Sequence, residues 1–125
     1  MNEVREALVA IVDDDSRMLA SLENLLESAG FRTRAFLSGH AFLQSGTLTS
    51  ICCLISDIYM PNMTGWELEE RVHRERPELP IVLISGNDEA FLKAPVDGDG
   101  HRRVLLRKPL DTQKLLAAVG AAIAK

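Results

Sequence analysis

The sequence predicts an α/β domain, a parallel sheet of five strands covered by helices on both faces. Three observations predict it. Short apolar runs alternate with amphipathic stretches along the whole chain. Several of the runs are unbroken rather than interleaved with polar residues, as in strands buried on both faces. The order, strand then helix, comes five times over, and such alternation marks parallel strands joined by crossover helices.

Residues 1–125 read as one domain, long enough for a single hydrophobic core. Hydrophobic residues make up 46% and charged residues 26%, a globular balance. Lys and Arg number 14 against 18 Asp and Glu, a formal charge of −4, so the chain as a whole has no basic face for nucleic acid. No apolar run approaches the roughly 20 residues of a membrane span. The start, MNEVREALVAIVDDD, lacks the basic opening and long apolar stretch of a secretory signal, and a cytoplasmic location is expected. Cys52 and Cys53 are adjacent, with no other cysteine to complete a metal quartet. In an extended segment they would point to opposite faces, as small buried hydrophobes rather than disulfide partners.

The elements follow in order. Leu8–Val12 is an apolar run and the first buried strand. Met18, Leu19, Leu22, Leu25, Leu26 and Ala29 form one helical stripe, with Asp15 or Ser16 to cap its start and Gly30 to stop it. Phe31–Phe36 is interrupted by Arg32 and Arg34, as edge strands often are. A short helix fits Gly39–Gln44, and Ile51–Ser56 is another buried strand. The loop Asp57–Gly65 leads to Thr64, three residues before Glu67, the spacing of a capping box. The helix it opens has Glu67/Arg71 and Glu70/Arg74 on its wet side and Leu68 and Val72 on its inner side, and Pro77 ends it. Ile81–Ile84 and Val104–Leu106 are the last strands, and Asp111 caps a final helix carrying Leu115, Leu116, Val119 and Ile123. Between Ser85 and Val104 the helix signal is confined to Asp88–Ala94, because Pro95, Gly98 and Gly100 break it.

In such folds function gathers at the carboxyl ends of the strands. Asp13, Asp14 and Asp15 follow the first strand, Asp57 the third, Ser85 and Gly86 the fourth, Lys108 and Pro109 the fifth. Taken alone, each could be a turn, cap or surface residue. Together they place carboxylates, a hydroxyl and an ammonium on one edge. Clustered carboxylates make a hard, oxygen-rich site suited to Mg²⁺. A cation there would neutralise charge on a transferring phosphoryl group, and Asp57 would be the nucleophile, forming an acyl phosphate.

The segments IVDDD (Ile11–Asp15), LISDIYMPNMTGWEL (Leu54–Leu68), VLISG (Val82–Gly86) and RKPL (Arg107–Leu110) resemble the response-regulator receiver domain of two-component signalling. The likeness covers essentially the whole chain and is strongest to receivers that precede helix-turn-helix transcription modules. It implies a CheY-like, flavodoxin-like fold with strand order 2-1-3-4-5. It implies that Asp57 is the phosphoacceptor and that Asp13, Asp14, Asp57 and the backbone carbonyl of Tyr59 hold Mg²⁺ or Mn²⁺. Ser85 matches the switch hydroxyl, and Lys108 the family's lysine, followed by a proline in a cis peptide. Tyr59 and Asn87 match positions that tune loss of phosphate. The implied donor is a histidine kinase or phosphotransfer protein, and the implied output is the surface of the fourth helix, fifth strand and fifth helix. That output would act on a downstream protein or fused output domain, or through phosphorylation-dependent homodimerisation, with no direct contact to nucleic acid or membrane. No external substrate is turned over, so the expectation is a switch rather than an enzyme, either stand-alone or the front of a longer regulator.

One position departs from the family. Three residues before the lysine, where receivers commonly carry an aromatic, stands Leu105. Coupling is therefore expected to run through ordering of residues 88–103. Two alternatives place the chain elsewhere. An aspartyl phosphatase would need an acid two residues after the nucleophile, where Tyr59 stands. A flavin module would need a hydroxyl- and glycine-rich phosphate loop where Asp13–Asp15 stand. A phosphorylation-independent receiver that binds proteins is the remaining alternative. Asp97-Gly-Asp-Gly lacks the later residues of a calcium loop. His40, His73 and His101 read as surface residues, Trp66 as packing or partial cover beside the site, and Arg102, Arg103, Arg107 and Lys108 as a partner-facing or solvated basic run.

Overall fold

The apolar runs pair into one all-parallel sheet of order β2-β1-β3-β4-β5, the expected topology. The strands are β1 Leu8–Val12, β2 Arg32–Phe36, β3 Cys53–Asp57, β4 Ile81–Ser85 and β5 Arg103–Arg107. The helices are α1 Ser16–Ser28, α2 Gly39–Gln44, α3 Gly65–Glu75 and a final helix, Thr112–Ile123. The structure, a computed structural model, describes residues 7–86 and 103–123. The expected helix at Asp88–Ala94, the Asp97–Gly100 run, Asn87, His101 and Arg102 lie outside the described residues.

Successive strand residues face opposite ways, and this divides the core in two. Val9, Ile11, Cys53, Ile55, Val82 and Ile84 pack with Leu19, Leu22 and Leu26 of α1 and Leu115 and Val119 of the final helix. Ala10, Val12, Leu54, Ile81 and Leu83 pack with Phe42 of α2 and Leu68 and Val72 of α3. Burying each such leucine or isoleucine contributes roughly 1.5–3 kcal/mol. β1, β3 and β4 are buried almost throughout, whereas the edge strands β2 and β5 are half exposed.

Local signals act as read. The Asp15 carboxylate accepts from Arg17 and Met18 N–H and caps α1, and Gly30 takes φ 98° just past its end. Thr64 and Glu67 form the capping box of α3. Glu67 turns back to accept the Thr64 N–H at 2.9 Å. Glu70–Arg74, 4.0 Å apart and well exposed, is the kind of surface pair that contributes little.

Two expectations need correction. Cys52 and Cys53 do not alternate across the sheet, because β3 begins at Cys53 and Cys52 lies in the bend before it. Both pack on the α1 side, the Cys52 thiol donating to Leu8 O at 3.3 Å. His73 is buried rather than superficial. It sits one residue beyond Val72 on the inner margin of α3, with Nε2 3.1 Å from Leu79 O, so the chain after the helix folds over it.

Candidate functional site

The parallel arrangement brings the carboxyl ends of all five strands to one edge. Asp13 immediately follows β1, Asp57 ends β3, Ser85 ends β4 and Lys108 follows β5. The register pairs Asp57 with Ile84 and Ser85 with Arg107, so the third, fourth and fifth strands finish side by side.

Carboxylate oxygens of Asp13, Asp14 and Asp57 lie within 4.8 Å of one another. Asp13 and Asp57 are buried and Asp14 is exposed at the mouth. The Lys108 ammonium stands 3.1 Å from Asp57 Oδ1. Asp13 Oδ1 accepts the Asp15 N–H at 3.0 Å, so this third acid serves the turn with its backbone and the helix with its side chain. Asp15 is thus a cap, outside the converging trio.

Burial and crowding raise the proton affinity of the site. Burial pushes the Asp13 carboxyl up to about 6, reinforced by the charges of Asp57 and Asp14 and opposed by the Asp15 N–H and Lys108. Burial also raises Asp57, against its hydrogen bond and ion pair with Lys108. Burial works against the Lys108 charge, but Asp57 and then Asp13 outweigh it and hold the lysine above its ordinary range. Three carboxylates facing one ammonium are over-charged for a closed structural cluster. Hard oxygen donors at this spacing fit a small divalent cation, which would relieve the repulsion.

The backbone around Asp57 is fixed by close packing. Gly65 N–H donates to Ile58 O at 2.7 Å. A Cβ on Gly65 would stand 2.7 Å from Asp57 O and 2.9 Å from Ile58 Cα, so any other residue here requires a backbone shift. Ser56 Oγ donates to Asp57 O at 2.9 Å, and Ile58 N–H to Ile84 O at 2.9 Å. Ser85 is buried, and its carbonyl accepts the Lys108 N–H at 2.9 Å. The peptide between Lys108 and Pro109 is cis, as the resemblance implied. Tyr59, two residues past Asp57, is exposed beside the mouth. Leu105 packs partly buried against the α3-side core.

The basic run is divided in a way that residue type alone did not disclose. Lys108 turns to the site, while Arg103 is buried against Glu69 of α3 rather than lying on a solvated face. Trp66 packs partly buried on the α3-side core beneath the Arg103 guanidinium. A lone buried acid on a helix, Glu69, was the missed partner. Its placement between Leu68 and Val72 on the inner side of α3 was the available signal.

The profile of the response regulator receiver domain matches residues 9–120. Response regulator protein TmoT of Ectopseudomonas mendocina is 32% identical over 98% of this chain and 55% of its own length. Transcriptional regulatory protein FixJ of Bradyrhizobium diazoefficiens is 33% identical over 92% of this chain and 56% of its own. The chain therefore spans about half the length of these relatives. Among solved structures, the signal receiver domain of an HD domain-containing protein from Pseudomonas fluorescens Pf-5 superposes with a TM-score of 0.82 at 28% identity, covering 95% of each chain.

Proposed function

Because the chain belongs to the response regulator receiver domain family of two-component signalling, we propose that Asp57 accepts a phosphoryl group from a histidine kinase or phosphotransfer protein. The observation that carries this reading is the meeting of three carboxylates with the Lys108 ammonium, 3.1 Å from Asp57 Oδ1, at the carboxyl edge of the sheet. Asp13, Asp14, Asp57 and the Tyr59 carbonyl would hold Mg²⁺ or Mn²⁺. When bound, that cation supplies positive charge that screens the carboxylates and the phosphoryl oxygens.

The chain's own groups do the rest. An Asp57 carboxylate oxygen forms the new O–P bond while the donor's P–N bond breaks. The electron pair returns to the imidazole nitrogen, which takes up a proton. Lys108, held at the acceptor by its ion pair, is placed to follow the charge onto a phosphoryl oxygen. The Ser85 hydroxyl, one residue past Asp57's partner on the neighbouring strand, is the group to be drawn inward. Tyr59 beside the mouth, and Asn87, govern the access of water to the acyl phosphate. Such a cycle changes the protein's own surface and turns over no external substrate.

The output surface in this reading includes β5 and the final helix, with Leu105 repacking where receivers commonly swing an aromatic; the expected fourth helix and the ordering of residues 88–103 lie outside the described residues, apart from Arg103. Its targets are a downstream protein, a fused output domain or a second copy of the chain. Relatives named as transcriptional regulators support an output in transcription. No described helix is long and apolar enough to cross a membrane, and we assign the domain to the cytoplasm.

Beryllofluoride, a phosphoryl mimic, tests the reading by NMR. It should perturb Ser85 and Lys108 resonances only when Mg²⁺ is present, and not in Asp57→Asn. Perturbation without Mg²⁺, or in the variant, would contradict the proposed site.

A further inference from the structure

The end of β5 remote from Lys108 carries a second acid–base pair. Arg103 donates from Nε to Glu69 Oε2 at 2.6 Å and from Nη2 to Glu69 Oε1 at 2.5 Å. Both side chains are almost closed to solvent, 8% and 6% exposed. The guanidinium also lies over the Trp66 ring, 5.4 Å from its centroid. Desolvating two ions is costly, and apolar residues of similar volume often stabilise a fold as well or better. A contribution to overall stability is therefore a poor explanation for the pair.

Its position suggests a better one. β5 is an edge strand, and its apolar residues hold it weakly: Val104 is exposed, and Leu105 and Leu106 are half-buried. All five residues of β3 and of β4 are buried. α3, by contrast, is fastened to the phosphoacceptor strand through the Gly65 N–H to Ile58 O bond and the tight approach of Gly65 to the Asp57 carbonyl. Contacts thus form a closed ring. It runs from Asp57 through Ile58 and Gly65 into α3, across Glu69 to Arg103, along β5 to Lys108, and back to Asp57.

We propose that Glu69 and Arg103 are positioning residues for the phosphoacceptor site: their buried pair clamps β5 to α3 and so keeps Lys108 within reach of Asp57. The role of Lys108 in this inference rests on the function proposed above. The clamp itself does not, because it concerns where β5 lies.

The test compares wild type with Arg103→Lys, which keeps the charge but loses the fork, and with Glu69→Gln, which keeps the shape. Amide exchange of β5 and of the Lys108 N–H, bonded to Ser85 O, should accelerate roughly tenfold more than that of β1 and β3. Phosphorylation by acetyl phosphate with Mg²⁺ should slow by roughly tenfold in Arg103→Lys, as for a misplaced active-site group. Against a Lys108→Met background Arg103→Lys should have no further effect, because it acts through the lysine. Wild-type exchange at Lys108 in a folded variant would overturn the proposal, as would a rate loss that simply multiplies with that of Lys108→Met. Equal loss of protection in β1, β3 and β5 in both variants would also overturn it, since the pair would then support the whole domain. Absence of any phosphorylation in wild type would instead defeat the proposed function, and exchange at Lys108 would still decide the clamp.

Discussion

Among the described residues, two acid–base pairs stand at the two ends of β5, at Arg103 and at Lys108 just past the strand, and they are built oppositely. Glu69–Arg103 is bidentate, capped by an aromatic ring and almost closed to solvent. Asp57–Lys108 is a single contact at the mouth of a cluster in which Asp13 and Asp14 add two further carboxylates. A bidentate pair shut away from solvent is suited to holding geometry. A crowded cluster of carboxylates is different: burial first, and neighbouring carboxylates second, raise the proton affinity of Asp13 and Asp57, and a bound cation would relieve the charge. In the functions proposed above, the two ends of one strand separate holding from chemistry.

The comparison can be broken most forcefully at its closed end. Glu69→Ala leaves Arg103 buried without its carboxylate and should destabilise the protein by about 3–5 kcal/mol in urea unfolding. Replacing both residues by apolar ones of similar volume, Glu69→Leu with Arg103→Met, should recover most of that loss. If the double variant is as unstable as the single one, the pair contributes more than its own electrostatics.

The open end should respond to pH with a defined sign. The native Asp13 carboxyl titrates at about 6, against an ordinary value of 3.8. Between those values the native state holds more protons than the unfolded one. In metal-free protein the Asp13 contribution therefore falls as pH rises through this window, by at most about 3 kcal/mol. Asp13→Asn should remove that part of the slope and stabilise the metal-free protein at pH 7 while weakening its binding of Mg²⁺ by calorimetry. An unchanged slope would mean that Asp13 is not the strained group.

Smaller effects sharpen the link between the two ends. Gly65→Ala forces a methyl against the Asp57 carbonyl and should cost about 1–3 kcal/mol in thermal or urea unfolding. Its backbone shift should also slow phosphoryl uptake. Thr64→Ala removes only the cap of α3, one residue earlier, and should cost about 1 kcal/mol with phosphorylation of the folded protein nearly unchanged. Similar losses of activity in the two variants would show that the start of α3 matters as a whole, not through its contact with Asp57.

How much of this was legible in the sequence depends on whether a signal is local. The buried strand Leu8–Val12, the stripe of α1, the Asp15 cap and the Thr64/Glu67 box are written in neighbouring residues and stand where they were read, and the strand read as Ile81–Ile84 runs one residue further, to Ser85. The convergence of Asp13, Asp14, Asp57 and Lys108 was legible because strand ends share one edge in a parallel sheet, so position along the chain became position in space. Glu69 and Arg103 are 34 residues apart, and by type each resembles an ordinary surface charge. Only the packing of β5 on α3 brings them together. His73 was misjudged because the chain returning through Leu79 covers it, a tertiary event without a local mark. Cys52 was misplaced because the strand begins two residues later than read, at Cys53, which leaves Cys52 in the bend before it and outside the alternation of faces.

The most direct test of the central claim is the intact mass after incubation with acetyl phosphate, with and without Mg²⁺, for wild type and Asp57→Asn. The account predicts one added phosphoryl group in wild type with Mg²⁺, and none without the cation or in the variant. An adduct that persists in Asp57→Asn would contradict the assignment of the acceptor. No adduct in wild type, together with no response to beryllofluoride, would contradict the switch itself and favour a receiver that binds its partners without phosphorylation.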